Sequence, residues 1–137
     1  MLKVILDANV IISALIFKCK MKLILDLAQK NRFEVIVCDE LEYEVLSKFL
    51  KKFDADQETV LILADFFMSC KSVKISKSSK IKIRDQKDAY LLDLCISTKV
   101  DYLVTGDKDL LVLPKNSLKQ TKIVSPKEFL DLVGFGI

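Results

Sequence analysis

The first thirteen residues place a charged side chain between two apolar segments. Residues 4–6 form an apolar run of strand length, and residues 10–12 form a second one. Asp7 stands between them, where a buried parallel strand would leave its sheet. An ionised carboxylate is tolerated there mainly when it is paired or binds a metal, although Asp is also a favoured helix cap. This stretch alone leaves two equal alternatives, a functional site at Asp7 or a cap with Asn9 as a turn residue.

Segments with strand-like and helix-like patterns alternate along the rest of the chain. Runs rich in β-branched residues predict strands at 33–38, 102–105 and 123–124, and Val73 with Ile75 suggests another short strand. Apolar residues at helical spacing predict the helices between them. The pattern favours an α/β fold, a three-layer α/β/α sandwich around a mainly parallel sheet of four to five strands. The predicted helices cover residues 10–17, 21–30, 39–49, 57–70, 85–98, 107–111 and 126–133.

Several acids stand at predicted helix starts, where a structural role explains them. Asp39 followed by Glu42 is typical of a capping box, and Ser125 opens the last helix in the same way. Asp56 or Asp54 could cap the helix at residues 57–70. Asp85 occupies an N-cap position, with Asp88 at the third helical position. One interpretation of the chain is therefore an interaction domain whose acids are all helix caps.

Composition limits the function classes. The 137 residues, 51% of them hydrophobic, predict one domain over residues 1–137 with a single core. The chain has no histidine, which excludes Ser-His-Asp and Cys-His nucleophiles and the imidazole pair of metal-free ribonucleases. Its apolar runs are too short to cross a membrane and it begins without a signal-peptide pattern, so we expect a cytoplasmic protein. Four widely spaced cysteines predict reduced core thiols, at Cys19, Cys38, Cys70 and Cys95.

Four acids can meet at one edge of the predicted sheet. Asp7 and Asp107 follow strands, while Glu44 and Asp88 lie in the first turns of helices and border apolar faces. The carboxyl ends of parallel strands are where such sheets bind ligands. Four close carboxylates repel one another unless a divalent cation neutralises them, and an all-oxygen set suits Mg²⁺ or Mn²⁺. Metal ions held in this way promote displacement at phosphorus. Polar neighbours that would support the ligands are Asn9, Thr105, Asp85 and Asp109.

A basic run extends from residue 71 to residue 87, with Asp85 as its single acid. Such a run is most often a solvated loop, and the alternative is an electrostatic rim for a polyanion. The net charge of +3 agrees weakly with the second alternative. The candidate nucleic-acid rim consists of Lys80, Lys82, Arg84 and Lys108.

Taken together, these segments resemble the PIN domain, in the branch of VapC-like toxins. The resemblance is carried by Asp7-Ala8-Asn9, Glu44, residues 84–88, residues 102–111 and the start of the last helix. It implies a Mg²⁺-dependent ribonuclease site on Asp7, Glu44, Asp88 and Asp107, an RNA substrate, a homodimer and a small antitoxin partner. Ala8, Gln86 and the pair Lys99-Val100 depart from the family pattern without touching an expected ligand.

Two other classes of protein share part of this pattern. Phosphatases of the haloacid dehalogenase type also carry an Asp after the first strand, but they need a second Asp where this chain has Asn9. An RNA-processing nuclease without a toxic role and a non-catalytic interaction domain remain as alternatives.

Gly106, between Thr105 and Asp107, suggests a turn with an unusual backbone conformation or a close approach of another group to the backbone.

Overall fold

The computed structural model of the protein describes residues 1–16, 20–52, 56–83, 86–114 and 117–134. Within these ranges five strands form one sheet in which every neighbouring pair is parallel, in the order β3-β2-β1-β4-β5. The five-stranded sheet with helices packed on it confirms the predicted α/β/α sandwich. The strands are β1 (Leu2–Leu6), β2 (Phe33–Val37), β3 (Lys71–Ser72), β4 (Tyr102–Val104) and β5 (Lys122–Val124).

Helices connect the strands, as parallel pairing requires. A single turn of 3₁₀ helix, Gln86–Asp88, precedes α5. Within the described ranges the α-helices are α1 (Ala8–Ile16), α2 (Lys20–Gln29), α3 (Asp39–Lys52), α4 (Gln57–Ser69), α5 (Ala89–Thr98), α6 (Lys108–Leu111) and α7 (Pro126–Val133).

The order of the strands positions the functional edge. From β1 the chain moves outward to β2 and β3, then returns to place β4 on the other side of β1. The direction of winding therefore reverses between β1 and β4, and parallel sheets bind ligands at the carboxyl ends of strands at such a reversal. Leu6 and Val104 are paired in register there, and the backbone N–H of Asp7 donates to the carbonyl of Val104 at 3.0 Å.

The core of the sheet explains why β1 is central. Val4, Ile5 and Leu6 have no exposed surface, so both faces of the strand are covered. A continuous apolar run is typical of a strand that is buried on both sides. The backbone that follows this run is therefore held firmly, which fixes the position of Asp7.

Two predicted caps are confirmed. The side chain of Asp56 accepts from the backbone N–H of Thr59 at the start of α4. Ser125 and Glu128 form a full capping box at the start of α7, which begins with Pro126. Such caps satisfy backbone donors that the first helical turn leaves without partners.

Three local predictions were wrong. Asp39 is the first residue of α3, and the carbonyl of Cys38 rather than the Asp39 side chain receives the N–H of Glu42. Asp88 is the last residue of the 3₁₀ turn and the N-cap of α5, so it is not the third residue of the α-helix. The third strand lies at Lys71–Ser72, before Val73 and Ile75.

The segment after β3 leaves the sheet because α5 binds its backbone. The hydroxyl of Ser97 accepts from the N–H groups of Ser76 and Lys77, and Asp93 accepts from that of Ser79. Donors taken by side chains cannot continue a ladder of strand hydrogen bonds.

Four residues that carried sequence predictions lie outside the described residues: Asp54, Arg84, Asp85 and Cys19.

Cys38, Cys70 and Cys95 are free thiols, in agreement with the prediction for these three. Burial raises the pKa of Cys38 to about 11 and that of Cys70 to about 12, which keeps both in the unreactive thiol form at neutral pH. In the part of the chain that is described, no helix is long and apolar enough to cross a membrane.

Candidate active site

An open cleft of about 1330 Å³ lies at the carboxyl edge of the sheet, beside the ends of β1 and β4. The four predicted acids all line it, together with two of their predicted polar neighbours, Asn9 and Asp109. Thr105 is fully buried behind the wall of the cleft. The four acids of the sequence prediction are Asp7, Glu44, Asp88 and Asp107.

Asp7 is the most buried acid of the cleft, with 5% of its surface exposed. Its Oδ1 accepts from the N–H of Val10 at 2.8 Å, and its Oδ2 accepts from the hydroxyl of Thr105. Burial raises the pKa of Asp7 above its ordinary value, and the nearby Glu44 raises it slightly further. The two hydrogen bonds and the ammonium of Lys48 act in the opposite direction without overcoming burial. Asp7 is therefore a helix cap and also a buried carboxylate that a cation would stabilise.

Thr105 connects the two acids that follow strands. Its hydroxyl donates to Asp7, and the same oxygen accepts from the backbone N–H of Asp107 at 3.0 Å. Asp107 in turn accepts from the N–H of Asp109 at 2.9 Å through Oδ1 and so caps α6. The ends of β1 and β4 are thus joined by side chains as well as by backbone pairing, and the relative position of their carboxylates is set by one hydroxyl.

Glu44 lies on α3, across the cleft from the strand ends. Its Oε2 forms an ion pair with Nζ of Lys48 at 2.7 Å, and its Oε1 accepts from the hydroxyl of Tyr90 on α5. Nζ of Lys48 also donates to Oδ1 of Asn9 at 3.3 Å. Burial of Tyr90 and, after it, the neighbouring carboxylate of Glu44 raise the pKa of the phenol far above its usual range, so the Tyr90 hydroxyl stays protonated and donates.

Lys48 and Tyr90 were not identified from the sequence. A signal for Lys48 was present, because a lysine four residues after a glutamate faces it on a helix. Tyr90 had no such signal, since its partner Glu44 is 46 residues away and the two meet only in the folded chain.

Asp88 lines the cleft at the N-cap of α5, where its side chain makes no capping hydrogen bond. Across the described ranges, no three acids or cysteines lie close enough together to hold a metal ion in this arrangement. The donor chemistry nevertheless fits Mg²⁺ or Mn²⁺, because the acids that share the cleft offer only oxygen and Asp7 is buried with its charge poorly compensated. These residues border one space, and closing them around an ion requires side-chain movement.

The lysines around the cleft differ from the predicted rim. Lys108 lines it as expected, together with Lys48, Lys51 and Lys87. Lys80 and Lys82 are exposed but are not among the residues that line this cleft. Arg84 lies outside the described residues.

Gly106 does not have the unusual backbone that the sequence suggested. No described glycine has a positive φ, and a Cβ built on Gly106 would meet nothing within 4 Å. Gly106 lines the cleft, so its small size leaves open space next to Asp107.

Comparison with known proteins gives concordant matches. The family model described as "PIN domain" matches residues 3–109. An uncharacterized protein of Methanocaldococcus jannaschii, MJ1680, is 30% identical over 142 aligned positions, which cover 95% of this chain and 90% of that protein. The crystal structure of PAE2754 from Pyrobaculum aerophilum is similar with a TM-score of 0.60 and 17% identity, covering 97% of this chain and 90% of that one. This last likeness supports the fold alone.

Proposed function

Because the chain belongs to the PIN domain family, whose members are generally nucleases that use divalent metals, we propose that it is a Mg²⁺- or Mn²⁺-dependent endoribonuclease. The observation that carries this proposal is the shared cleft of Asp7, Glu44, Asp88 and Asp107. It lies where the winding of the sheet reverses, the usual ligand site of parallel sheets.

The four carboxylates are the residues that would hold the ion. When bound there, a divalent ion activates a water molecule and stabilises the charge that develops on the phosphodiester oxygens. Thr105 orients Asp7 and Asp107 through its hydroxyl, and Tyr90 orients Glu44. Lys51 and Lys108 line the same cleft as exposed cations, which suits the phosphate backbone of a nucleic acid.

The hydrogen bonds of the acids argue against an interaction domain that uses them only as helix caps. Asp7 and Asp107 do cap helices, but Glu44 lies inside α3 and Asp88 makes no side-chain cap bond. Both of these acids line the cleft without capping a helix, so capping does not account for their position. A ligand role for these two is the simpler account.

We further propose that the nuclease is the toxin of a toxin–antitoxin pair and that it acts as a homodimer in the cytoplasm. The resemblance of residues 102–111 to VapC-like toxins supports the first statement. Exposed apolar residues on α4 support the homodimer, because an apolar patch on a protein surface commonly marks an interaction site. These α4 residues are Val60, Leu61, Ile62 and Met68. Growth arrest on expression, relieved by a small co-expressed partner, distinguishes a toxin from an RNA-processing enzyme.

The direct test of the proposed chemistry is cleavage of purified RNA with Mg²⁺, with Mn²⁺ and with EDTA. We expect cleavage with either metal, none with EDTA, and none for Asp107→Asn, which keeps the side-chain shape and removes the charge. Asp131→Asn is the matched control, since Asp131 is an exposed acid on α7 away from the cleft. Cleavage that persists in EDTA, or near wild-type cleavage by Asp107→Asn, would refute the assignment.

A further inference from the structure

A lysine lies inside the acidic cleft and contacts two of the groups around it. Nζ of Lys48 is 2.7 Å from Oε2 of Glu44 and 3.3 Å from Oδ1 of Asn9. Its charge also opposes, by a small amount, the rise that burial causes in the pKa of Asp7. One ammonium therefore compensates the acids from both sides of the cleft, because Glu44 is on α3 whereas Asp7 and Asn9 are at the start of α1.

Both oxygens of Glu44 are already in use. Tyr90 donates to Oε1 and Lys48 pairs with Oε2, so a metal ion that binds Glu44 competes with one of these partners. The Tyr90 ring is partly buried and packed against the core, and its hydroxyl is a neutral donor. The Lys48 side chain is 36% exposed, against 20% for Glu44, and it is long and flexible. An ion pair with this exposure is weak, so Lys48 is the partner that gives way.

We propose that Lys48 is a positioning residue that competes with the divalent ion for the carboxylate of Glu44. It holds Glu44 and Asn9 in place before metal binds, and it leaves Oε2 when the ion arrives. The inference rests on the proposed metal-dependent function and adds to it a residue that sets the metal affinity.

The test is a calorimetric titration of the intact protein with Mn²⁺. Lys48→Met removes the competing charge, so we expect Mn²⁺ to bind about fivefold more tightly than to the wild type. Lys48→Arg keeps the competing charge, so it should bind Mn²⁺ no more tightly than the wild type does. Lys52→Met is the matched control, because Lys52 is an exposed lysine of the same helix that is not among the cleft-lining residues.

A melting experiment separates this role from that of an ordinary stabilising ion pair. In EDTA, Lys48→Met should melt below the wild type, since Glu44 and Asp7 lose a counter-charge, and saturating Mn²⁺ should remove most of the difference. An equal deficit with and without metal would mean that Lys48 only stabilises the fold, and the inference would be wrong.

The two proposals fail in different ways. If the wild type gives no heat of Mn²⁺ binding and no metal-dependent melting shift, the metal site itself is refuted, and this inference with it. If the wild type binds Mn²⁺ but Lys48→Met binds it with equal or weaker affinity, only the competition by Lys48 is refuted.

Discussion

Thr105→Val should destabilise the protein far more than Thr105→Ser. Thr105 is fully buried, and its hydroxyl joins the buried carboxylate of Asp7 to the backbone N–H of Asp107. Valine has nearly the same shape as threonine but neither donates nor accepts. Serine keeps the hydroxyl and loses one methyl group, so the pair of variants separates the hydrogen bonds from the packing.

The size of the effect follows from these contacts. The hydrogen bond from Thr105 to the carboxylate of Asp7 contributes about 1.5–3 kcal/mol, the range for a bond to a charged group. Without the Thr105 oxygen the N–H of Asp107 loses its acceptor. This costs about 1 kcal/mol, the low end of the range for a buried donor, because Asp107 is only half-buried. We therefore expect Thr105→Val to lower the free energy of unfolding by about 3 kcal/mol. Thr105→Ser should lower it by about 1 kcal/mol, the contribution of a buried methyl group.

Thermal and urea unfolding in EDTA at pH 7 measure this difference. With about 2.1 cal/mol/K of unfolding entropy per residue near 60 °C, a chain of 137 residues shifts its melting temperature by about 3.5 °C per kcal/mol. The expected decreases are about 10 °C for Thr105→Val and about 3–4 °C for Thr105→Ser. Equal melting temperatures for the two variants would show that the hydroxyl does not link the two acids.

The same variants have a pH dependence of known sign. Burial raises the pKa of Asp7 in the folded state above its ordinary value of 3.8, so the native protein binds this proton more tightly than the unfolded chain. The contribution of Asp7 to stability is therefore greatest below that ordinary value and is lost as pH rises through the folded pKa. Without the Thr105 hydroxyl the folded pKa rises further. The deficit of Thr105→Val relative to Thr105→Ser should narrow as pH falls, and a constant gap would contradict this explanation.

Three further predictions concern the backbone, the substrate and the partner. Lys99 ends α5 with φ 54°, a left-handed conformation that favours glycine. Lys99→Gly should therefore raise the free energy of unfolding in urea by about 0.5–1 kcal/mol, and a decrease would contradict this. Leu61→Glu should convert a dimer to a monomer in light scattering without loss of fold, and a monomeric wild type would refute the dimer proposal. Replacing three basic residues of the run by Glu should weaken RNA binding and make it less dependent on salt, with a smaller effect on the cleavage rate. The replaced residues are Lys80, Lys82 and Arg84. An unchanged salt dependence would show that these side chains face away from RNA.

The sequence predicted the fold and two strand-end acids because both depend on local pattern. A buried parallel strand is a continuous apolar run, and an acid directly after it must lie at the carboxyl edge of the sheet. Asp7 and Asp107 are both of this kind. The pairing of β1 with β4, which brings them together, follows the usual right-handed connections of such sheets.

Other parts of the site depend on contacts that no local pattern contains. Tyr90 meets Glu44 only because the folded chain brings the start of α5 to the cleft opposite α3. The start of α5 was misplaced because the turn before it is a 3₁₀ turn, which is frequent at helix ends and which the apolar spacing did not separate from the α-helix. The sequence showed that the run at residues 71–87 is basic but not which way its side chains face. That depends on the path of the segment, which is set by hydrogen bonds from its backbone to Ser97 and Asp93.

The central claim is that four acids form one metal site: Asp7, Glu44, Asp88 and Asp107. The most direct test compares the melting temperatures of the wild type and of Asp88→Asn, each in EDTA and in Mn²⁺. Mn²⁺ at a hundred times its Kd should stabilise the wild type by about 2.7 kcal/mol, a rise in melting temperature of about 9 °C. Asp88→Asn should equal or exceed the wild type in EDTA, because one repelling charge is gone, and should respond less to Mn²⁺. No metal-dependent shift for the wild type, with Asp88→Asn simply less stable, would contradict the claim, because that is how an acid that only stabilises a helix N-terminus behaves.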